Sequence, residues 1–126
     1  YNIGVIQMNG GKDTEAIQNF EKAIQLDPNF KNAYTNLALV KIKPEKEYVD
    51  IINANLGNSA KEKKTYQEYN QKRKDLYKEV IPYLEKAFEL DKTNYDAAKT
   101  LRQAYQSAEM FDKEDAMRTV EKTLQP

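Results

Sequence analysis

The segment Glu21-Lys22-Ala23-Ile24-Gln25-Leu26-Asp27 returns 64 residues later as Glu85-Lys86-Ala87-Phe88-Glu89-Leu90-Asp91. Self-similarity on this scale is the mark of stacked repeats, each burying an apolar face against its neighbour. Around the first copy, Ala16, Ile17, Phe20, Ala23, Ile24 and Leu26 recur at three- and four-residue spacing and predict a helix with one apolar stripe. Asn9-Gly10-Gly11 in front of it is a turn signal. Asp27-Pro28-Asn29 behind it stops the helix, because Pro28 has no amide hydrogen to continue the ladder. Ala33, Tyr34, Leu37, Ala38 and Val40 then begin a second stripe, so the unit is helix, short turn, helix.

Tyr1-Asn2-Ile3-Gly4, Gly10-Gly11, Glu15-Ala16-Ile17, Phe20, Glu21-Lys22-Ala23-Ile24 and Leu26-Asp27-Pro28 resemble the tetratricopeptide repeat (TPR), lacking its opening residues. The small residues Gly4, Ala16 and Ala23 let paired helices approach closely, while Ile3, Phe20 and Ile24 are expected to fill the space between them. A second unit opens with Ala33-Tyr34 and Asn36-Leu37-Ala38. It closes with Val80, Leu84-Glu85-Lys86-Ala87-Phe88 and Leu90-Asp91, with Lys92 where the family has proline. A third unit, from Ala97 and Leu101 through Tyr105 and Phe111 to Ala116, Val120 and Leu124, is degenerate. Arg102 stands where the family prefers a small residue, and the turn is expected around Asp112 to Asp115. The resemblance implies an all-α, TPR-type α-α superhelix in one domain, with repeats over 1–30 (truncated at its start), 31–94 and 95–126.

The family period is about 34 residues, so the 64-residue spacing leaves about 30 extra residues inside the second unit. Their composition is helical, which predicts a long antiparallel helical hairpin with its turn at Asn55-Leu56-Gly57-Asn58-Ser59. Gly57 is expected to take the left-handed conformation there, and Ser59 or Asn58 to cap the next helix. No glycine interrupts Ala60 to Leu90, so one long helix is expected, bent mildly near Lys78 by the interior Pro82. On it Tyr66, Tyr69, Leu76, Val80, Tyr83, Ala87 and Leu90 form a seam facing Leu37, Val40, Tyr48, Ile51 and Ile52, which Arg73 should loosen. Pro44 would clash with the carbonyl of Val40, so a kink or a helix break is expected there. If Pro44 instead starts a short extra helix that folds back, the insert would form another layer on the repeats.

The chain has no cysteine and no histidine, which removes disulfides, the commonest metal ligand, the commonest general base and both of their nucleophiles. Catalysis, metals and cofactors are not expected. Twenty basic against twenty acidic residues give no net charge, which argues against a protein-wide footprint for nucleic acid or membrane. Lys61, Lys63, Lys64, Lys72, Arg73, Lys74 and Lys78 beside Tyr66 and Tyr69 are a local exception, but Glu62, Glu68, Asp75 and Glu79 are interleaved. Nucleic-acid binding is therefore disfavoured against a solvated helix face. Asp112, Glu114 and Asp115 lack the spacing of a cation loop and are expected to form a polar helix cap. The longest apolar runs, such as Leu37 to Val40, fall far short of the roughly 18 residues that span a bilayer. Because it opens on Tyr1 inside a helical pattern, the sequence is expected to be a piece of a longer chain.

By the same resemblance, a protein or peptide partner is expected in the concave groove made by the first helix of each unit. That groove would present Asn2, Val5, Met8, Asn32, Thr35, Asn36, Leu39, Lys99, Thr100 and Gln103, with Asn36 foremost because an amide can both donate to and accept from a ligand backbone. The subclass that clamps chaperone tails is disfavoured, since Val5, Asp96 and Thr100 replace its asparagine and basic groups. The rival expectation is a structural role, with a homo-oligomer formed through the hairpin or an exposed repeat face and no ligand in the groove. TPR proteins with a comparably lengthened repeat are, by resemblance, often bacterial and exported to the cell envelope or periplasm.

Overall fold

A computed structural model describes residues 2–126, apart from the side chains of Met8 and Asn9; Tyr1 of the repeat motif and the Met8 side chain of the expected groove thus lie outside the described residues. Among these residues there is no strand. The helices are α1 (Asn2–Asn9), α2 (Asp13–Leu26), α3 (Lys31–Lys41), α4 (Glu45–Asn53), α5 (Ala60–Glu89), α6 (Tyr95–Ser107) and α7 (Phe111–Leu124). Each packs on the next in chain order, with one step skipped: α3 lies on α5, and α4 packs along α5 beside it.

The turns follow from local chemistry. Gly11 takes φ 80°, and the amide of Lys12 bonds the carbonyl of Gln7 at 2.7 Å, closing α1 with a left-handed glycine. After α2, the Asp27 carboxylate accepts from the amide of Asn29 (3.1 Å), and the Tyr34 hydroxyl donates to the carbonyl of Pro28 (2.8 Å), tying the turn to α3. Asn94 caps α6 by accepting from the amide of Ala97 at 3.1 Å. The last turn lies at Ala108 to Met110, where Glu109 is left-handed with φ 58°. The expected turn at Asp112 to Asp115 is thus corrected, since those residues lie inside α7. Nor is Glu114 a cap. It is 5% exposed and accepts from Arg118 at 2.6 Å, with Arg102 beyond it bound to Glu121.

Two apolar clusters hold the helices together. One joins Ala16 and Phe20 of α2 to Leu37 and Val40 of α3, with Val5, Ile17 and Ile24 against it. The other joins Ala38 to Val80, Ile81 and Leu84 of α5 and to Leu101, Ala104, Tyr105, Ala108 and Met117. Tyr83 touches both. Gly4 sits where an added Cβ would lie 2.9 Å from the Phe20 ring, so the expected close approach of α1 and α2 is present. Ile3, Leu26 and Ala116 do not join the stripes drawn for them; all three are exposed. A helical period marks positions along one helix without knowing which of them a neighbouring helix covers.

Pro44 breaks the incoming arm. It ends α3 at Lys41 and stands as the N-cap of α4, whose main packing partner is the first half of α5, so the insert is a hairpin beside the repeats rather than a layer upon them. α5 runs unbroken through Pro82 for 30 residues, about 45 Å. Tyr48 and Tyr69 meet across the hairpin at 5.8 Å, as the seam predicts, whereas Tyr66 is exposed near the tip. Ser59 caps α5. Gly57 is not left-handed; a Cβ there would crowd only the mobile end of the Glu62 side chain, whose carboxylate accepts from the Gly57 amide at 3.0 Å.

Candidate functional site

Between α3 and α6, with α5 as its floor, runs a groove made of two adjoining cavities. The first, about 220 Å³, is polar-walled: Lys31, Asn32 and Thr35 of α3 face Asp96, Ala97 and Thr100 of α6, and Asp91 and Asn94 close one end. The second, about 150 Å³, is apolar, lined by Ala38, Leu39, Ile42, Val80, Leu84 and Ala104, with Gln103 on its rim and Glu45 and Tyr77 at its far end. Leu84 and Thr100 belong to both, so the groove is continuous. It is wide enough to accept side chains because small residues stand on its walls and floor, notably Ala38, Ala97 and Ala104.

Each end of the groove is pinned by charge. At the polar end Lys31 donates to Asp91 at 2.6 Å, and this bond, with lesser help from Asn94 and Thr93, holds the Asp91 carboxyl below its ordinary pKa. At the apolar end Arg73 donates through Nε and Nη2 to Glu45 (3.3 Å each) and through Nη2 to Ser107 (3.4 Å), while its guanidinium lies 5.4 Å from the Tyr77 ring centre. Burial, followed by a hydrogen bond to Glu45, pushes the Tyr77 phenol up to about 12. It is therefore a neutral donor at any physiological pH. Lys74 adds an ion pair to Glu109 at 2.9 Å. Arg73 thus anchors the hairpin base to the end of α6, where a loosened seam was expected.

Five of the residues predicted for the groove are brought together here: Asn32, Thr35 and Leu39 on α3, and Thr100 and Gln103 on α6. Lys99 and Asn36 are not. Successive helical residues turn by about 100°, so Lys99 points away from Thr100, and Asn36, half-buried and already engaged within the protein, is turned from Thr35. Val5 and Asn2 stand on α1, outside both cavities; Val5 packs on the Phe20 cluster, and Asn2 is exposed. The floor residues Tyr77, Val80 and Leu84 and the end residues Asp91 and Glu45 escaped sequence reasoning, which looked for ligand contacts on the first helix of each unit. The spacing that makes Val80 and Leu84 a stripe was visible, but it reads equally as core.

A chain of consecutively packed helical pairs around such a groove defines an α-helical repeat protein. Residues 1–43 match the family model of the TPR repeat, and the described residues are all-α, as a fold of TPR type requires. Repeats of this kind generally mediate protein–protein interaction. No curated protein matches the chain. Among the described residues, no helix is long and apolar enough to cross a membrane.

Proposed function

We propose that this chain is a non-catalytic interaction module that holds a peptide or protein segment in the α3–α6 groove, within repeats bounded at 1–30, 31–94 and 95–126. One observation carries the reading: an apolar pocket at Leu39, Ile42, Val80 and Leu84 continues directly into a polar trough at Asn32, Thr35 and Thr100. An apolar anchor in the first and a backbone hydrogen-bonded in the second is the usual division of labour in a peptide site. Peptides selected from a random displayed library on the immobilised protein supply the probe. Leu39, at 48% exposure, can be changed to Arg without opening the core. L39R should weaken selected peptides about tenfold or more, and amide shifts should gather at Thr35, Leu39, Thr100 and Gln103. Selected peptides whose shifts avoid these residues, or a stable oligomer in light scattering with no peptide selected, would overturn it, the latter in favour of self-association.

A further inference from the structure

The tip of the hairpin is fixed with unusual care for a loop far from the core. Glu62 uses both carboxylate oxygens on it: Oε2 accepts from the amide of Gly57 (3.0 Å) and Oε1 from the Ser59 hydroxyl (2.9 Å), while the Glu62 amide donates back to Ser59 Oγ (3.1 Å). On the other side Asn55 donates through its side chain to the carbonyl of Ile51 (2.7 Å) and through its amide to Ile52 (3.0 Å). What this rigid frame displays is apolar. Leu56 is 66% exposed and Tyr66 38%, and together they border a shallow notch of about 250 Å³ with Lys63 and Gln67. Neither is needed to close the hairpin, whose seam is made one turn lower by Tyr48 and Tyr69. Lys61, Lys63 and Lys64 have no ion-pair partner among the described residues: no carboxylate stands three or four residues from Lys61 or Lys63, and Glu68, four beyond Lys64, pairs with Lys72.

We propose that this tip is a second binding surface, separate from the groove, and that its occupant is an acidic segment of another protein bearing an aliphatic residue among its carboxylates. The notch between Leu56 and Tyr66 receives the aliphatic side chain, and Lys63 on its rim, with Lys64 on the adjoining face of α5, receives the carboxylates. Preorganisation matters here because a loop already held in place loses little entropy on binding. A lipid surface fits less well: three lysines contribute about 1 kcal/mol each and a single leucine little more, too small a sum to hold a domain on a bilayer, and a concave notch has no use there.

The test uses the full chain, isotope-labelled, and a short peptide with a central leucine between two runs of aspartate. Amide shifts should fall within residues 54–67. Leu56→Ser and Lys63→Glu should each weaken binding by about fivefold, and the same peptide with serine for its leucine should bind correspondingly less well. Both positions are exposed, so the variants should keep their helices, which circular dichroism checks. The proposal is overturned if millimolar peptide leaves 54–67 unmoved, if neither variant weakens binding, or if phosphatidylglycerol vesicles bind more tightly than the peptide through Leu56.

Discussion

Gly11 and Glu109 do the same work in two different turns. Each is the left-handed residue that ends a helix, and each is followed by an amide that reaches back five residues, Lys12 to Gln7 and Met110 to Tyr105 (2.8 Å). Glycine adopts that conformation freely, whereas a residue with a Cβ is strained there by about 1–2 kcal/mol. Glu109 is partly compensated by its pair with Lys74, but the carboxylate is half exposed, and such pairs are worth about 0–1 kcal/mol. The strain therefore outweighs the pair. Glu109→Gly should leave stability unchanged or raise it by about 1 kcal/mol in urea unfolding; a clear loss would show that the link to the hairpin matters more than the backbone.

Tyr77 gives the molecule an alkaline edge. Its phenol titrates near 12 when folded against 10.0 when free, so the folded state retains the proton. The contribution is complete below pH 10 and is lost as pH rises through about 12. The urea midpoint should fall across that window, and Tyr77→Phe should reduce the fall. A remainder is expected from Tyr105, whose hydroxyl is raised by burial and by its 2.5 Å bond to Glu85.

Among the elements, α4 is the one whose removal is most informative. It rests mainly on the first half of α5, and neither apolar cluster draws a residue from 46–75. Deleting 46–75 joins Glu45 to Leu76, near the family's usual turn. The shortened chain should unfold cooperatively in calorimetry, with a lower midpoint because Glu45 loses Arg73. Aggregation, even with a glycine inserted at the junction, would mean that the hairpin supports the repeats. The elements themselves were legible because their signals are local: Ala16, Phe20 and Ala23 carry a helical period, Pro44 a break, Ser59 a cap. What escaped is what local signals cannot encode. Glu45, Arg73 and Ser107 stand 28 and 34 residues apart in pairs, so their meeting was invisible, and the turn at Glu109 lacked the glycine that marks its counterpart. In the groove, Thr35 and Leu39 were readable from the helix face they share, while Asn36 and Lys99 fell on adjacent faces that only packing distinguishes.

At the scale of the whole molecule, the two clusters meet at α3 and at one side chain of α5. Leu37 and Ala38, adjacent on α3, belong to different clusters, and Tyr83 is the side chain of α5 that touches both. In a repeat protein the interface between units sets cooperativity as much as the units do. Tyr83→Ala should cost about 2–4 kcal/mol, and also lower the slope of the urea transition as the two halves begin to unfold separately. A shifted midpoint with an unchanged slope would assign the coupling to α3.

Because α5 is continuous, the floor of the groove and the spine of the hairpin are one stiff beam. From Leu76 to Ala60 it overhangs by about 24 Å, so a swing of about 5° at its base moves the tip by roughly 2 Å. The fulcrum is the Arg73 clasp on Glu45 and Ser107, and the short arm beyond it carries Val80 and Leu84 beneath the cleft. A load at the outer end would therefore press on the surface beneath any guest in the cleft, and by reciprocity a guest that wedged the cleft would re-aim the outer end.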